Sequence, residues 1–402
     1  MIHVAVLGYG TVGSGVVEVI EKNKALVSKK ACEELNVKYI LDLRDFPGDP
    51  YEAKVVHDVN VILEDPEVSI VCETMGGVRP AYDFTKSALL KGKSVCTSNK
   101  ELVANHGPEL LQIAKENNCN YLFEASVGGG IPIIRPINEA LTAEKIEAIT
   151  GILNGTTNYI LTKMQKDGAK YEEVLKRAQE KGYAERNPEA DVEGYDACRK
   201  IAILSSLMVG RNVKYEDIYT EGITKITADD FVYAKAMGKS IKLLAMSKAL
   251  EQGTLAMVSP CMIDSENPLY MVQNVFNGIL VKGNMMGESM YYGKGAGKLA
   301  TASAVVGDVI ECARNMGRSL PVFWDAENEQ LVDITEVERA FFVRARAEAR
   351  ADVEAAFAGG EVVEIAGRED FGYVTPVMKE KDFAARYETL EDKVITRIRI
   401  EA

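Results

Sequence analysis

The chain opens on a short apolar run, Ile2 to Leu7, and Gly8-Tyr9-Gly10-Thr11-Val12-Gly13 follows at once. Val16, Val17 and Ile20 then recur at helical spacing. Strand, glycine turn and helix start, in that order, constrain the fold more than any other feature. They describe the opening of a parallel α/β unit built to hold a dinucleotide. Gly8 permits the tight turn. Gly10 lets backbone approach a pyrophosphate, whose charge rests on the N–H groups of the helix start around Thr11 and Val12. Gly13 lets the helix pack close to its strand. Glycines also mark ordinary βα turns; the position directly after a strand is what favours cofactor binding here.

Strand and helix go on alternating over the first ~130 residues, as in a doubly wound parallel (Rossmann) sheet. Strands are predicted at 37–41, 68–72, 94–97 and 121–124, with helices at 82–91 and 110–117. Ligands of such sheets lie beyond the C-terminal strand ends. Gly8, Arg44, Thr74, Ser98, Lys100 and Glu124 all follow strands. From Gly128 the pattern becomes α+β. A strand is expected at 146–153, helices at 159–167, 171–181 and 196–210, and a further helix and strand at 231–247 and 254–264. A glycine-rich turn is expected at 290–297. A helix at 300–314 could return to the first domain. The last ~65 residues read βαββαβ, a small layer of helices on an antiparallel sheet. The expected domains are 1–130, completed by about 295–320, then 131–294 and 336–402.

A net charge of −13 argues against a nucleic-acid surface. No run approaches the ~18 apolar residues of a membrane span, and no leader precedes the first strand. The seven cysteines are scattered without a C-x-x-C, which fits buried thiols in a reducing cytoplasm. Only three histidines occur, so acid–base chemistry must rest mainly on Lys, Asp and Glu. His3 falls inside a strand, and His106 is at most a supporting neighbour of Lys100.

Arg44 lies between Asp42 and Asp45 at the end of the second strand, where the adenosine ribose is read. An acid there accepts from the 2′-hydroxyl of NAD, and an arginine pairs with the 2′-phosphate of NADP. Both are present; NADP is the reading taken, with NAD the alternative and a solvated loop of charges the plain one. Lys100 follows a central strand and could face a nicotinamide, although most lysines are simply exposed. Glu124 to Pro132 holds three glycines, and a carboxylate with several carbonyls there would suit a hard cation. A flexible linker is the simpler account. Asp196 and Lys200 stand at i and i+4 where a polar loop enters an apolar helix. Asp196 is a good N-cap by type. Lys200 precedes an apolar run, so its stem is expected to be buried and to need Asp191 or Asp196 as partner. Burial of that kind moves a lysine toward general acid or base use.

Together these segments resemble homoserine dehydrogenase. The likeness is carried by Leu7 to Gly13, Thr97 to Lys100, Glu124 to Pro132, Gly151 to Tyr159, Asp191 to Lys200, Tyr292 to Gly297 and Thr301-Ala302. It runs in order over roughly residues 1 to 315, and Asp-Val-Glu-Gly-x-Asp-Ala-x-x-Lys is its most specific element. The resemblance implies hydride transfer between a nicotinamide and L-aspartate 4-semialdehyde, giving L-homoserine. By the same likeness Lys200 donates the proton and Lys100 bridges substrate and nicotinamide, with exchange of these tasks possible. Asp191 orients the lysine and binds substrate, and Glu185 holds the substrate ammonium. Gly8, Gly10, Thr11, Val12, Gly13, Arg44, Thr74, Ser98, Lys100 and Gly295 meet the cofactor. Glu124 with the carbonyls of Val127, Gly129 and Ile131 holds a structural sodium ion. A homodimer or homotetramer is implied.

The family's Asp-Pro-Thr before Asp191 is Asn187-Pro188-Glu189 in this chain. The tail resembles an ACT domain, yet the Pro-Gly pair of that domain's ligand loop is missing from Arg346 to Asp352. Dimerisation or a structural role is therefore as reasonable an expectation as threonine sensing. Two other readings stand beside the enzyme. A non-catalytic amino-acid sensor is disfavoured by the presence of Lys100, Asp191 and Lys200. A dehydrogenase for another amino-acid aldehyde or imine would be separated by a substrate panel.

Overall fold

The computed structural model describes residues 1–401; Ala402, the end of the expected C-terminal domain, lies outside them. The chain divides into two compact units. The first contains Met1–Lys145, Ala202–Tyr215 and Gly293–Glu329; the second contains Ile146–Ile201, Glu216–Tyr292 and the chain from Gln330 onward.

The first unit is built on six parallel strands: β1 (Ile2–Leu7), β2 (Leu35–Leu41), β3 (Val55–Val56), β4 (Val68–Glu73), β5 (Ser94–Thr97) and β6 (Tyr121–Leu122). Their order is β3-β2-β1-β4-β5-β6. The central strand β1 is almost all apolar and buried, as a strand with helices on both faces is. On one face Val4, Val6, Cys72 and Cys96 pack against Val16, Val17 and Ile20 of helix Thr11–Lys22 and Val305, Val309 and Cys312 of helix Lys298–Arg314. Each such aliphatic side chain contributes roughly 1.5–3 kcal/mol by leaving water. These two helices touch closely at Gly15, where a Cβ would come within 2.8 Å of the Lys298 carbonyl.

One helix differs from expectation. It spans Lys100–Glu116, not 110–117, and carries Pro108 inside it. Gly107 and Pro108 read as breakers, but Gly107 is needed for packing: a Cβ there would stand 2.7 Å from the Trp324 indole. His106 rests on the Tyr82 ring at 4.2 Å beside Glu109.

The second unit holds one mixed sheet of eleven strands. They are β7 (Ile146–Ile152), β8 (Tyr219–Thr220), β9 (Ser240–Leu250), β10 (Gly253–Ile263), β11 (Phe276–Gly283), β12 (Gly287–Lys294), β13 (Glu338–Arg346), β14 (Glu361–Val363), β15 (Asp370–Val374), β16 (Met378–Lys379) and β17 (Val394–Ile400). The main path runs β12-β11-β7-β9-β10-β17-β13-β15-β14. Two expectations change here. The helix expected over 231–247 stops at Ala236, and β9 pairs along its length with β10. Residues 240–246 are buried on both strand faces, so they lack the alternation that betrays a strand. Most of the turn expected over 290–297 is the end of β12.

The tail follows the expected βαββαβ order with one addition, the two-residue β16 between β15 and helix Glu380–Glu388; its strands lie in the spatial order β17-β13-β15-β14, with β16 paired to β13. β17 also pairs in parallel with β10, so the tail continues the sheet of its own unit. Buried charge adds to that junction. Arg344 of β13 lies 3.2 Å from Asp230 and from Asp229 of helix Ala228–Ala236, and donates to Thr227 Oγ1 at 3.1 Å. Tyr233 of the same helix donates to Asp370 at 2.8 Å.

Candidate active site

The first unit carries a cofactor cradle. Helix Thr11–Lys22 starts at Gly10 with no side-chain cap, leaving its first N–H groups for a ligand. A Cβ on Gly10 would meet open space, whereas one on Gly13 would strike the Gly8 carbonyl and stand 2.8 Å from Thr74 Oγ1. Gly13 is thus a packing requirement and Gly10 leaves the approach clear. Gly8 needs its glycine for φ +88°. Thr74 Oγ1 lies 2.9 Å from the Gly8 carbonyl, fastening the turn to the end of β4.

Beside the turn lies a cavity of about 430 Å³, lined by Gly8, Asp42, Arg44, His57, Met75 and Phe84 among others. Its size and mixed lining fit an adenosine. Asp42 accepts from Tyr9 N at 2.9 Å and from Arg44 Nε and Nη2 at 2.9 and 3.0 Å. Those arginine bonds hold its carboxyl well below the usual carboxylate range. Arg44 is otherwise exposed.

Ser98 is half-buried after β5, with its N–H 3.4 Å from the Glu73 carbonyl. Lys100 opens the next helix, whose cap is the Asn99 side chain accepting from Leu102 N. Gly295 reaches the Gly129 loop: a Cβ on Gly129 would run into the Gly295 carbonyl, and Gly130 N donates to the Lys294 carbonyl.

Glu124 is fully engaged. Its carboxylate accepts from the N–H groups of Ile133 (2.6 Å), Ile134 (2.9 Å) and Arg135 (2.7 Å), and from Arg135 Nε at 3.3 Å. Its own N–H donates to Asp308, a buried carboxyl that desolvation pushes up to about 8. The carboxylate thus gathers three peptide N–H groups of the following segment. Val127 lies in the short helix Ala125–Gly128, Gly129 follows it directly and Ile131 comes two residues later. No group of three His, Cys, Asp or Glu side chains suited to a metal occurs among the described residues.

The second unit carries a lysine–carboxylate cluster. Lys200 is 9 % exposed. Its ammonium donates to the Leu153 carbonyl at 2.8 Å and to Asp196 Oδ2 at 2.7 Å. Asn154 Nδ2 donates to Asp196 Oδ2 at 2.9 Å and to Asp191 Oδ1 at 2.7 Å. Its Oδ1 meanwhile caps helix Gly155–Asp167 by accepting from Thr157 N. One asparagine therefore sets both carboxylates. Asp196 is not the N-cap it was expected to be. Helix Tyr195–Val209 starts one residue earlier, and Gly194, at φ +85°, accepts its first bond from Cys198 N. Burial pushes the Asp191 carboxyl up, against lowering by the Asn154 bond. Glu185 lies exposed on the loop before Asp191, its carbonyl accepting from Gln179.

A family model described as the NAD binding domain of homoserine dehydrogenase matches residues 8–124, and one described as homoserine dehydrogenase matches 132–310. The Bacillus subtilis homoserine dehydrogenase is 42% identical over 322 residues, 78% of this chain and 73% of that protein. The Helicobacter pylori enzyme is 41% identical over 345 residues, covering 85% and 81%. The chain belongs to the homoserine dehydrogenase family. A solved Thiobacillus denitrificans homoserine dehydrogenase is similar over all of this chain and 98% of its own, at TM-score 0.91 and 36% identity. A hyperthermophilic archaeal homoserine dehydrogenase solved with NADPH is similar over 80% of this chain and 99% of its own, at TM-score 0.67 and 28% identity. As a homoserine dehydrogenase the chain is an NAD(P)-dependent oxidoreductase. It interconverts L-aspartate 4-semialdehyde and L-homoserine in the biosynthesis of threonine, methionine and isoleucine. No helix among the described residues is long and apolar enough to cross a membrane.

Proposed function

We propose that Lys200 is the proton donor of the homoserine dehydrogenase reaction, with Lys100 as the second ammonium. The observation that carries this is the buried ammonium held by Leu153 and Asp196 and joined through Asn154 to Asp191. A lysine has three N–H donors, so one remains for a substrate oxygen. When bound, the nicotinamide supplies or takes the hydride. Reduction of the aldehyde leaves an alkoxide, and Lys200 both stabilises that charge and protonates it. In the reverse direction it takes the hydroxyl proton. Asp191 keeps the lysine oriented and binds substrate, and exposed Glu185 holds the substrate's ammonium by a charge-assisted bond. The test is turnover by Lys200→Ala with cofactor affinity measured alongside; turnover should be lost and affinity kept.

NADP is the proposed cofactor, with NAD accepted more weakly. Arg44 is exposed at the mouth of the adenosine cavity and can exchange Asp42 for a 2′-phosphate. Arg44→Ala should weaken NADP on the order of tenfold while leaving NAD little changed. Equal weakening of both, by titration calorimetry, would remove Arg44 from the ribose site.

A sodium ion is proposed on the carbonyls of Val127, Gly129 and Ile131, with Glu124 supplying negative charge from the same loop. Its role is to fix the loop, not to act on substrate. The tail is proposed as an ACT-like module that serves assembly or structure. A homodimer or homotetramer is supported by the exposed apolar side chains of Met271, Met285, Met286 and Tyr292 around the edge strand β12. A cytoplasmic location goes with the scattered free cysteines.

A further inference from the structure

The sheet order decides which strands lie under which part of an extended dinucleotide. The cavity with Asp42 and Arg44 is at the end of β2, and the glycine turn is at the end of β1. A cofactor running from the first past the second next reaches the ends of β4 and β5. A carboxyl group that the chemistry above does not use is buried there. Glu73, the last residue of β4, is 0 % exposed. Its Oε1 accepts from Met75 N at 2.8 Å and its Oε2 from Thr97 Oγ1 at 2.6 Å. Thr97 Oγ1 accepts from Asn99 N at 2.9 Å, and Asn99 Nδ2 donates to the Gly77 carbonyl at 2.7 Å. Asn99 also caps the helix that Lys100 opens. One carboxyl thus ties the loop after β4 to the loop after β5.

A buried acid costs more to ionise than an amide of the same shape costs to bury. What distinguishes it is a charge that responds to what binds above it. Burial pushes the Glu73 carboxyl up to about 7, against the lowering bonds from Thr97, Met75 and Asn99. Its surroundings bring little competing charge. Tyr121 of β6 is kept neutral by its own burial. Leu7 of β1 pairs with Glu73. Helix Ala81–Leu90 turns Tyr82 and Thr85 inward, and the Tyr82 hydroxyl is engaged with Glu109. Helix Lys100–Glu116 buries only uncharged residues, with Lys100 half-buried at its head.

We propose that Glu73 is a positioning residue of the cofactor site, tying these two loops together and placing beneath the nicotinamide end a charge that favours the oxidised, cationic ring over the reduced, neutral one. This rests on the nicotinamide-dependent reading of the site. A cation above favours the ionised carboxyl, so binding of the oxidised form releases a proton from Glu73 when the pH is near or below its ordinary titration there.

The test is the dissociation constants of NADP⁺ and NADPH, by calorimetry, for the wild type and Glu73→Gln. The 2′-phosphate titrates in both forms and cancels from their ratio. In the wild type, the ratio of the NADPH constant to the NADP⁺ constant should rise roughly five- to tenfold from about pH 6 to about pH 8, then level off. In Glu73→Gln it should be flat and lie near the acidic limit of the wild type. A flat ratio in the wild type overturns the proposal whether or not the variant folds. An equal slope in the variant overturns it too, because the titrating group is then another. Failure of either nucleotide to bind the wild type would instead remove the reading beneath it.

Discussion

Lys200→Ala is expected to lower turnover of L-homoserine by about 10²- to 10⁴-fold, the range a positioned acid or base contributes. Cofactor affinity should stay close to wild type, because the first unit alone holds the glycine turn, Asp42 and Arg44. The side chain spans from helix Tyr195–Val209 to the Leu153 carbonyl, and its removal takes the ammonium away from Asp196, which the Asn154 amide still holds. Some loss of stability therefore accompanies the loss of chemistry. Lys200→Met keeps the buried stem and separates the two effects: its stability should recover more than its rate. The measurement is kcat and cofactor dissociation constants for both variants. Turnover at the wild-type rate would transfer the proton-donor role elsewhere, with Lys100 the first place to look.

Arg344→Met should destabilise the second unit by about 3–5 kcal/mol near neutral pH, the usual cost of removing one member of a buried charge cluster. Asp230 is 0 % exposed, and burial pushes its carboxyl up even with Arg344 beside it. Without the guanidinium that carboxylate has Thr227 left as partner. The sign with pH follows. As pH falls, Asp230 takes a proton and no longer needs the cation, so the variant's deficit should shrink toward acid and be largest above neutral. Asp230→Asn in the same background should recover part of the loss. Denaturant midpoints across pH measure this, and a deficit that is small and independent of pH would show that the cluster contributes little to holding β13 against helix Ala228–Ala236.

The parts of the fold legible in the sequence were those with a clean period. Ile2–Leu7, the glycine turn and the helix behind it combine an apolar run, a turn residue and a 3.6-residue repeat, and each agrees with the others. Strand β9 was lost because both its faces are covered, which erases alternation. The first ten residues of helix Lys100–Glu116 were lost because Gly107 and Pro108 are local breakers that the Trp324 contact overrides. At the site, the i, i+4 spacing of Asp196 and Lys200 found a pair the structure brings to 2.7 Å. Their link to Asp191 runs through Asn154, about forty residues away in sequence, and only tertiary folding supplies it. Glu124 shows the opposite limit. Composition shows a carboxylate in a glycine-rich stretch, and only the geometry shows its oxygens accepting from three peptide N–H groups nine to eleven residues on. Glu73 gave no sign at all, since a glutamate ending an apolar strand looks like a strand's solvent edge until its burial is known.

The most direct test mixes the purified protein with L-homoserine and NADP, then NAD, at alkaline pH, and follows nicotinamide absorbance with and without L-threonine. The account predicts reduction with both cofactors, faster with NADP, and little response to threonine. Cofactor binding without reduction of either nucleotide would contradict it.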